Sequence, residues 1–114
     1  MRAAMTIWGL AAGLLLGGCS AHRVTPEQAK KMVEGGARLL DVRSVEEFDS
    51  GHLDGALNIP VDELEKRLSE LEPKGQGVVV YCRSGMRSAR AAKTLAAAGF
   101  SEVGDLGGMS NWPR

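Results

Sequence analysis

Cysteine and histidine are both scarce in this chain: Cys19, Cys82, His22 and His52 are all it has in 114 residues. Their separations match no recognisable zinc pattern, so neither a metal nor any other cofactor is expected. Excess charge is missing too, with 14 basic against 14 acidic residues and no basic tract, which removes the electrostatic case for nucleic-acid binding. A hydrophobic run long enough to span a bilayer is also absent. The longest, Ile7 to Gly18, falls well short of the roughly 20 apolar residues a membrane helix requires. No repeat, low-complexity tract or interdomain linker interrupts the rest.

What is there begins with an address. Arg2 supplies a positive flank, the apolar run follows, and small residues close it, as in a secretory signal peptide. Leu16-Gly17-Gly18-Cys19 resembles the lipobox of bacterial lipoproteins, in which the cysteine is acylated and becomes the new N-terminus. The expected division is therefore a signal peptide over 1–18, a tether over 19–24 and one domain over 25–114. Lipid on Cys19 would anchor the protein to a bacterial membrane on its periplasmic side. The same resemblance implies the outer membrane, because Ser20 rather than Asp follows the cysteine. Removing residues 1–18 leaves 96 residues and a net charge of −1, which is one compact domain with no room for a second; it is expected to be a monomer. Cys82 is then an unpaired thiol in an oxidising compartment. Burial statistics alone would make it an inert core thiol; its flanking residues argue otherwise.

Along the chain, Thr25-Pro26-Glu27-Gln28 reads as a capped helix start with Pro at the first helical position, and Gly35-Gly36 as its end. Arg38 to Val42 suits a buried strand, and Val45 to Asp49 a turn or two of helix. Two glycines and a proline within Gly51 to Pro60 mark a loop around a very short strand. Val61, Leu64, Leu68 and Leu71 predict a helix over 61–70 that Pro73-Lys74-Gly75 breaks. Val78-Val79-Val80-Tyr81 has no polar alternation, as befits a central strand covered on both faces. An alanine-rich helix is expected over 88–98, stopped by Gly99, and a last short strand over 102–106. Strands alternating with helices predict an α/β fold: a three-layer domain with a central, mainly parallel sheet of about five short strands and helices on both faces. Trp112 is expected to pack rather than to act.

The stretch Tyr81-Cys82-Arg83-Ser84-Gly85-Met86-Arg87-Ser88 leaves the central strand, turns and enters the last helix. Ligands of open parallel sheets lie at the carboxyl ends of strands, so this is the default site. Backbone N–H groups of a tight turn around Gly85 can form an anion-binding nest. The positive end of the following helix points the same way, and Arg83 and Arg87 add guanidinium charge. A thiol in that field is held as thiolate below its free pKa of about 8.5, which makes Cys82 a nucleophile. Ser84 and Ser88 can donate hydroxyls to a substrate, although capping the helix is the simpler role for Ser88.

Cys82 to Ser88 resembles the active-site loop of the rhodanese family, and three further segments agree with it in order. Leu40-Asp41-Val42-Arg43 is similar to the family's LDVR strand end, Gly51-His52-Leu53-Asp54-Gly55-Ala56-Leu57-Asn58-Ile59-Pro60 to its GHIxGAxNIP segment, and Leu106-Gly107-Gly108 with Trp112 to its closing LxGG…W. The resemblance covers about Val24 to Trp112. It implies a sulfurtransferase in which Cys82 takes a sulfane sulfur from a small anionic donor such as thiosulfate and passes it, through a persulfide, to cyanide or a thiol. It further implies that Arg83, Ser84, Gly85, Met86, Arg87 and Ser88 surround the substrate, while Asp41 and Arg43 form a supporting ion-pair network. His52 is expected to organise its loop by a hydrogen bond, because a thiolate already formed needs no general base.

Two rival readings remain at this point. Phosphatases and arsenate reductases of related fold bracket an oxyanion between a cysteine and an arginine six residues later; here position 88 is Ser and the arginine is at 87, a loop better sized for sulfur. A non-catalytic sulfur-carrier or partner-binding module is the other, against which stands the retention of Cys82 with two arginines.

Overall fold

The computed structural model describes residues 20–114. The signal-peptide and lipidation readings at 1–18 and Cys19 lie outside the described residues. Five strands, all parallel to their neighbours, make one sheet: β1 (Ser20–Arg23), β2 (Arg38–Asp41), β3 (Leu57–Asn58), β4 (Val78–Cys82) and β5 (Glu102–Gly108), in the order β1-β5-β4-β2-β3. Three helices connect them: α1 (Pro26–Glu34), α2 (Val45–Asp49) and α3 (Met86–Ala97).

Central β4 shows why the layers form. Every residue in it is buried, and successive side chains alternate between two cores. Val78, Val80 and Cys82 face Ala91, Ala92, Leu95, Phe100 and Leu64, which lie on the α3 side. Val79 and Tyr81 face Ala29, Leu39 and Leu106 on the α1 side, where Trp112 also packs. Each fully buried Val or Leu contributes about 1.5–3 kcal/mol of apolar transfer, so a five-residue strand without polar alternation can sit only at the centre. The chain therefore has the three-layer α/β architecture with a five-stranded sheet.

The local signals at the start of α1 are realised in full. Gln28 N–H donates to Thr25 Oγ1 (3.1 Å), and Thr25 N–H donates to Gln28 Oε1 (2.8 Å), closing a capping box ahead of Pro26. A second box opens α2, in which Ser44 and Glu47 exchange the same bonds.

Four boundaries depart from the sequence reading. The tether over 19–24 is largely a strand: Ser20 to Arg23 pair in register with Glu102 to Asp105. Four residues carry no periodic pattern, and their extended form comes from pairing with the edge of β5, a non-local cause. The helix expected over 61–70 is instead two 3-10 turns, Val61–Lys66 and Leu68–Leu71, parted at Arg67 (φ −123°, ψ 21°). The apolar pairs Val61/Leu64 and Leu68/Leu71 are each three apart, the repeat of a 3-10 turn, and α-helical spacing mimics it over so short a run. Helix α3 starts at Met86, two residues earlier than expected, because Gly85 caps it. Strand β5 runs on to Gly108, two residues past its expected end.

Candidate active site

Cys82 is the last residue of β4, and α3 begins four residues later. So short a link turns only because Gly85 takes φ +110°, ψ −15°, a conformation that L side chains rarely adopt. That turn aims the Gly85 N–H at the thiol, to which it donates at 2.9 Å from Sγ. The backbone beneath is equally constrained. Cys82 pairs with Gly108 of β5, where a Cβ would lie 2.7 Å from the Arg83 carbonyl oxygen. Gly108 thus gives the loop room to lie on β5.

Burial pushes the Cys82 thiol up, since a sulfur anion loses water there. The N–H and hydroxyl of Ser88 and the N–H groups of Gly85 and Ser84 outweigh that effect, and the thiol sits below its ordinary pKa. Ser88 is fully buried in the first turn of α3, with its hydroxyl donating to the Gly85 carbonyl at 3.1 Å. Capping was the simpler expectation for Ser88; Gly85 holds the cap position instead, and the buried hydroxyl stands beside the sulfur. One hydroxyl proton serves one acceptor at a time. The Ser88 hydroxyl lies within reach of both the Gly85 carbonyl and the Cys82 sulfur.

The two loop arginines differ. Arg87 makes a two-pronged pair with Glu47 of α2, Nη1 to Oε1 at 2.7 Å and Nη2 to Oε2 at 3.0 Å. Arg83 is exposed and, among the described residues, has no carboxylate within ion-pair reach. It lines an open cleft of about 640 Å³ beside the loop, together with Arg43, Glu47, Gly51 and Ser110. Met86 points to solvent and is 83 % exposed. Neither guanidinium donates to the sulfur: the donors that reach it are N–H and hydroxyl groups, and Arg87 is coupled to it through charge alone.

At the end of neighbouring β2, Asp41 and Arg43 form a buried pair, with Arg43 Nη2 2.7 Å from Asp41 Oδ2. Arg43 also donates to the Gly51 carbonyl (2.8 Å) and lies 5.7 Å from the centre of the Tyr81 ring. Asn58 ties the same turn by donating to the carbonyls of Asp41 (3.0 Å) and Arg43 (3.1 Å). His52 stands apart: its ring stacks on Phe48 at 3.6 Å and its Nδ1–H donates to the Phe48 carbonyl at 2.8 Å.

Cys82, Ser84, Gly85 and Ser88 are therefore brought together around the sulfur, Arg83 and Arg87 lie at the mouth, Asp41 and Arg43 support it, and Met86 and His52 face elsewhere. Glu47 and Asn58 were not foreseen. The Ser44-x-x-Glu47 capping box was readable in the sequence, but the bond to Arg87 spans 40 residues and leaves no local trace.

The family model of the rhodanese-like domain matches residues 25–114. The chain belongs to that family. It is 36% identical over 73 residues to thiosulfate sulfurtransferase PspE of Escherichia coli (strain K12), covering 63% of this chain and 70% of PspE. Over 96 residues it is 36% identical to the putative sulfur carrier protein YrkF of Bacillus subtilis (strain 168), covering 82% of this chain. The alignment spans about half of YrkF, 51% of its length. The solved structure of the human single-domain sulfurtransferase TSTD1 superposes with a TM-score of 0.64 at 32% identity, over 74% of this chain and 87% of that one. Rhodanese-family membership, with thiosulfate sulfurtransferases among the relatives, is thus established alongside the fold.

Proposed function

We propose that this chain is a sulfurtransferase in which Cys82 carries the transferred sulfur as a persulfide. The observation that supports it most is the 2.9 Å approach of the Gly85 N–H to Sγ at the mouth of a helix, with Ser88 buried alongside. The Cys82 thiolate attacks the outer sulfur of thiosulfate; a new S–S bond forms, the bond to the sulfonate sulfur breaks, and sulfite leaves with that electron pair. Cyanide or a thiolate then attacks the outer sulfur of the persulfide and the Cys82 thiolate is regenerated. No proton has to be removed in either step, which agrees with a His52 engaged on Phe48. The same donors that hold the thiolate suit the anionic outer sulfur of a persulfide.

Incubation with thiosulfate and cyanide should yield thiocyanate, and mass spectrometry should find one added sulfur on Cys82; release of phosphate from an aryl ester without thiocyanate overturns the proposal. The phosphatase reading is disfavoured by Arg87, which is occupied by Glu47 rather than free to bracket an oxyanion. YrkF, a putative sulfur carrier, supplies the second reading. It shares the persulfide but not turnover, so one sulfur delivered per chain with no multiple cycles would select it. We further propose that Cys19 is acylated after loss of residues 1–18 and holds a monomeric domain on the periplasmic side of the outer membrane. Mass spectrometry of the membrane-extracted protein tests this through the mass of its N-terminal peptide.

A further inference from the structure

We propose that Glu47 sets the donor charge this site accepts: by pairing with Arg87 it keeps the mouth from being doubly cationic and so restrains selection for dianionic donors. The inference rests on the sulfurtransferase reading and deepens it. Glu47 Oε1 receives Arg87 Nη1 (2.7 Å), the Ser44 N–H (3.0 Å) and the Ser44 hydroxyl (3.1 Å), while Oε2 receives Arg87 Nη2 (3.0 Å). A carboxylate held by four donors at the N-terminus of α2 stays charged and fixed. It is held at about 2, first by the Arg87 hydrogen bonds and then by the Ser44 N–H. Arg87 in turn feels the charge of Cys82, so the pair lies within electrostatic reach of the reacting sulfur. Its side chains are 37% (Arg87) and 25% (Glu47) exposed, which leaves them open to solvent and salt.

The other charges around the mouth are Arg43, closed on Asp41, Arg83, which is unpaired among the described residues, and exposed Glu46. With Arg87 and Arg43 both paired, Arg83 is the one guanidinium of the mouth left free and exposed Glu46 weakens its field, so an incoming anion meets at most one effective positive charge beyond the N–H donors. A monoanion is matched by that; a dianion is left partly uncompensated. Glu47 acts on the reaction through Arg87 and the local field, and is a positioning residue rather than a catalytic one.

The test compares thiosulfate, a dianion, with methanethiosulfonate, a monoanion that gives the same Cys82 persulfide and releases methanesulfinate. Glu47→Gln keeps an oxygen acceptor for Arg87 and removes the charge. It should raise kcat/KM for thiosulfate about three- to tenfold, raise that for methanethiosulfonate by less, and lose most of the gain in added salt. Equal losses for both donors overturn the proposal and leave the pair structural. Should Glu47→Gln fold poorly, the double variant Glu47→Gln/Arg87→Gln measured against Arg87→Gln decides. The double variant should be the better thiosulfate enzyme, since the single one leaves Glu47 as an uncompensated anion; a double variant no better than the single one refutes the idea. Alkylation of Cys82 against pH keeps this question separate from sulfur transfer. Glu47→Gln should shift the Cys82 midpoint downward even if the wild type turns over no thiosulfate, and an unmoved midpoint counts against Glu47 alone.

Discussion

Two neighbouring parallel strands end side by side and each hands over to an arginine-bearing turn, yet one turn is closed and the other open. After β2, Arg43 folds back on Asp41, fully buried at its carboxylate, and donates a further N–H from Nη2 to the Gly51 carbonyl. After β4, Arg83 extends into the cleft, and the N–H groups of the turn converge on a sulfur. The difference lies in where the acceptor sits. An acceptor two residues away in the same turn produces scaffold; a turn whose donors meet a lone thiol leaves that sulfur easier to ionise.

The sharpest way to break this comparison is to remove the thiol. Cys82→Ala should reduce thiocyanate formation to background while the domain stays folded, with only a modest fall in the thermal unfolding midpoint from the buried sulfur it removes. Opening the closed turn should do the reverse. Asp41→Ala strands a buried guanidinium and should lower unfolding free energy in urea by about 3–5 kcal/mol. Whatever fraction stays folded should keep a low Cys82 pKa; a large rise in that pKa with little loss of stability would mean the two turns are not separate in role. Ser88→Ala should raise the Cys82 pKa, slow iodoacetamide labelling at neutral pH and cost about 1 kcal/mol of stability. Acid sharpens the comparison further. The folded Glu47 pKa of about 2 lies below its ordinary 4.5, so its contribution is present above about 4.5 and is lost as pH falls toward 2. The stability gap between wild type and Glu47→Gln, read by fluorescence-monitored urea unfolding, should therefore be constant above about pH 4.5 and close as the pH falls toward 2. The smallest effect belongs to His52→Gln, expected to leave kcat/KM for thiosulfate within about twofold, since its ring holds Phe48 rather than substrate.

The open turn was legible in the sequence because its parts are contiguous: strand, cysteine, glycine and helix follow one another from Val78 to Ala97. The capped start of α1 was legible for the same reason. Edge strand β1 and the Glu47–Arg87 pair were not, since each depends on a partner dozens of residues away. The 3-10 turns at 61–71 lie between these cases: the apolar spacing was visible, but a three-residue repeat over two short pieces does not distinguish one helical winding from another.

Strand direction carries one more consequence. All five strands point the same way, so Ser20, where β1 opens, and Cys82, where β4 closes, belong to opposite poles of the domain. A tether fastened next to Ser20 would leave the thiol pole turned outward, unshadowed by whatever surface holds the protein. Donors and acceptors would then arrive from the open side, and the domain itself would serve as the spacer.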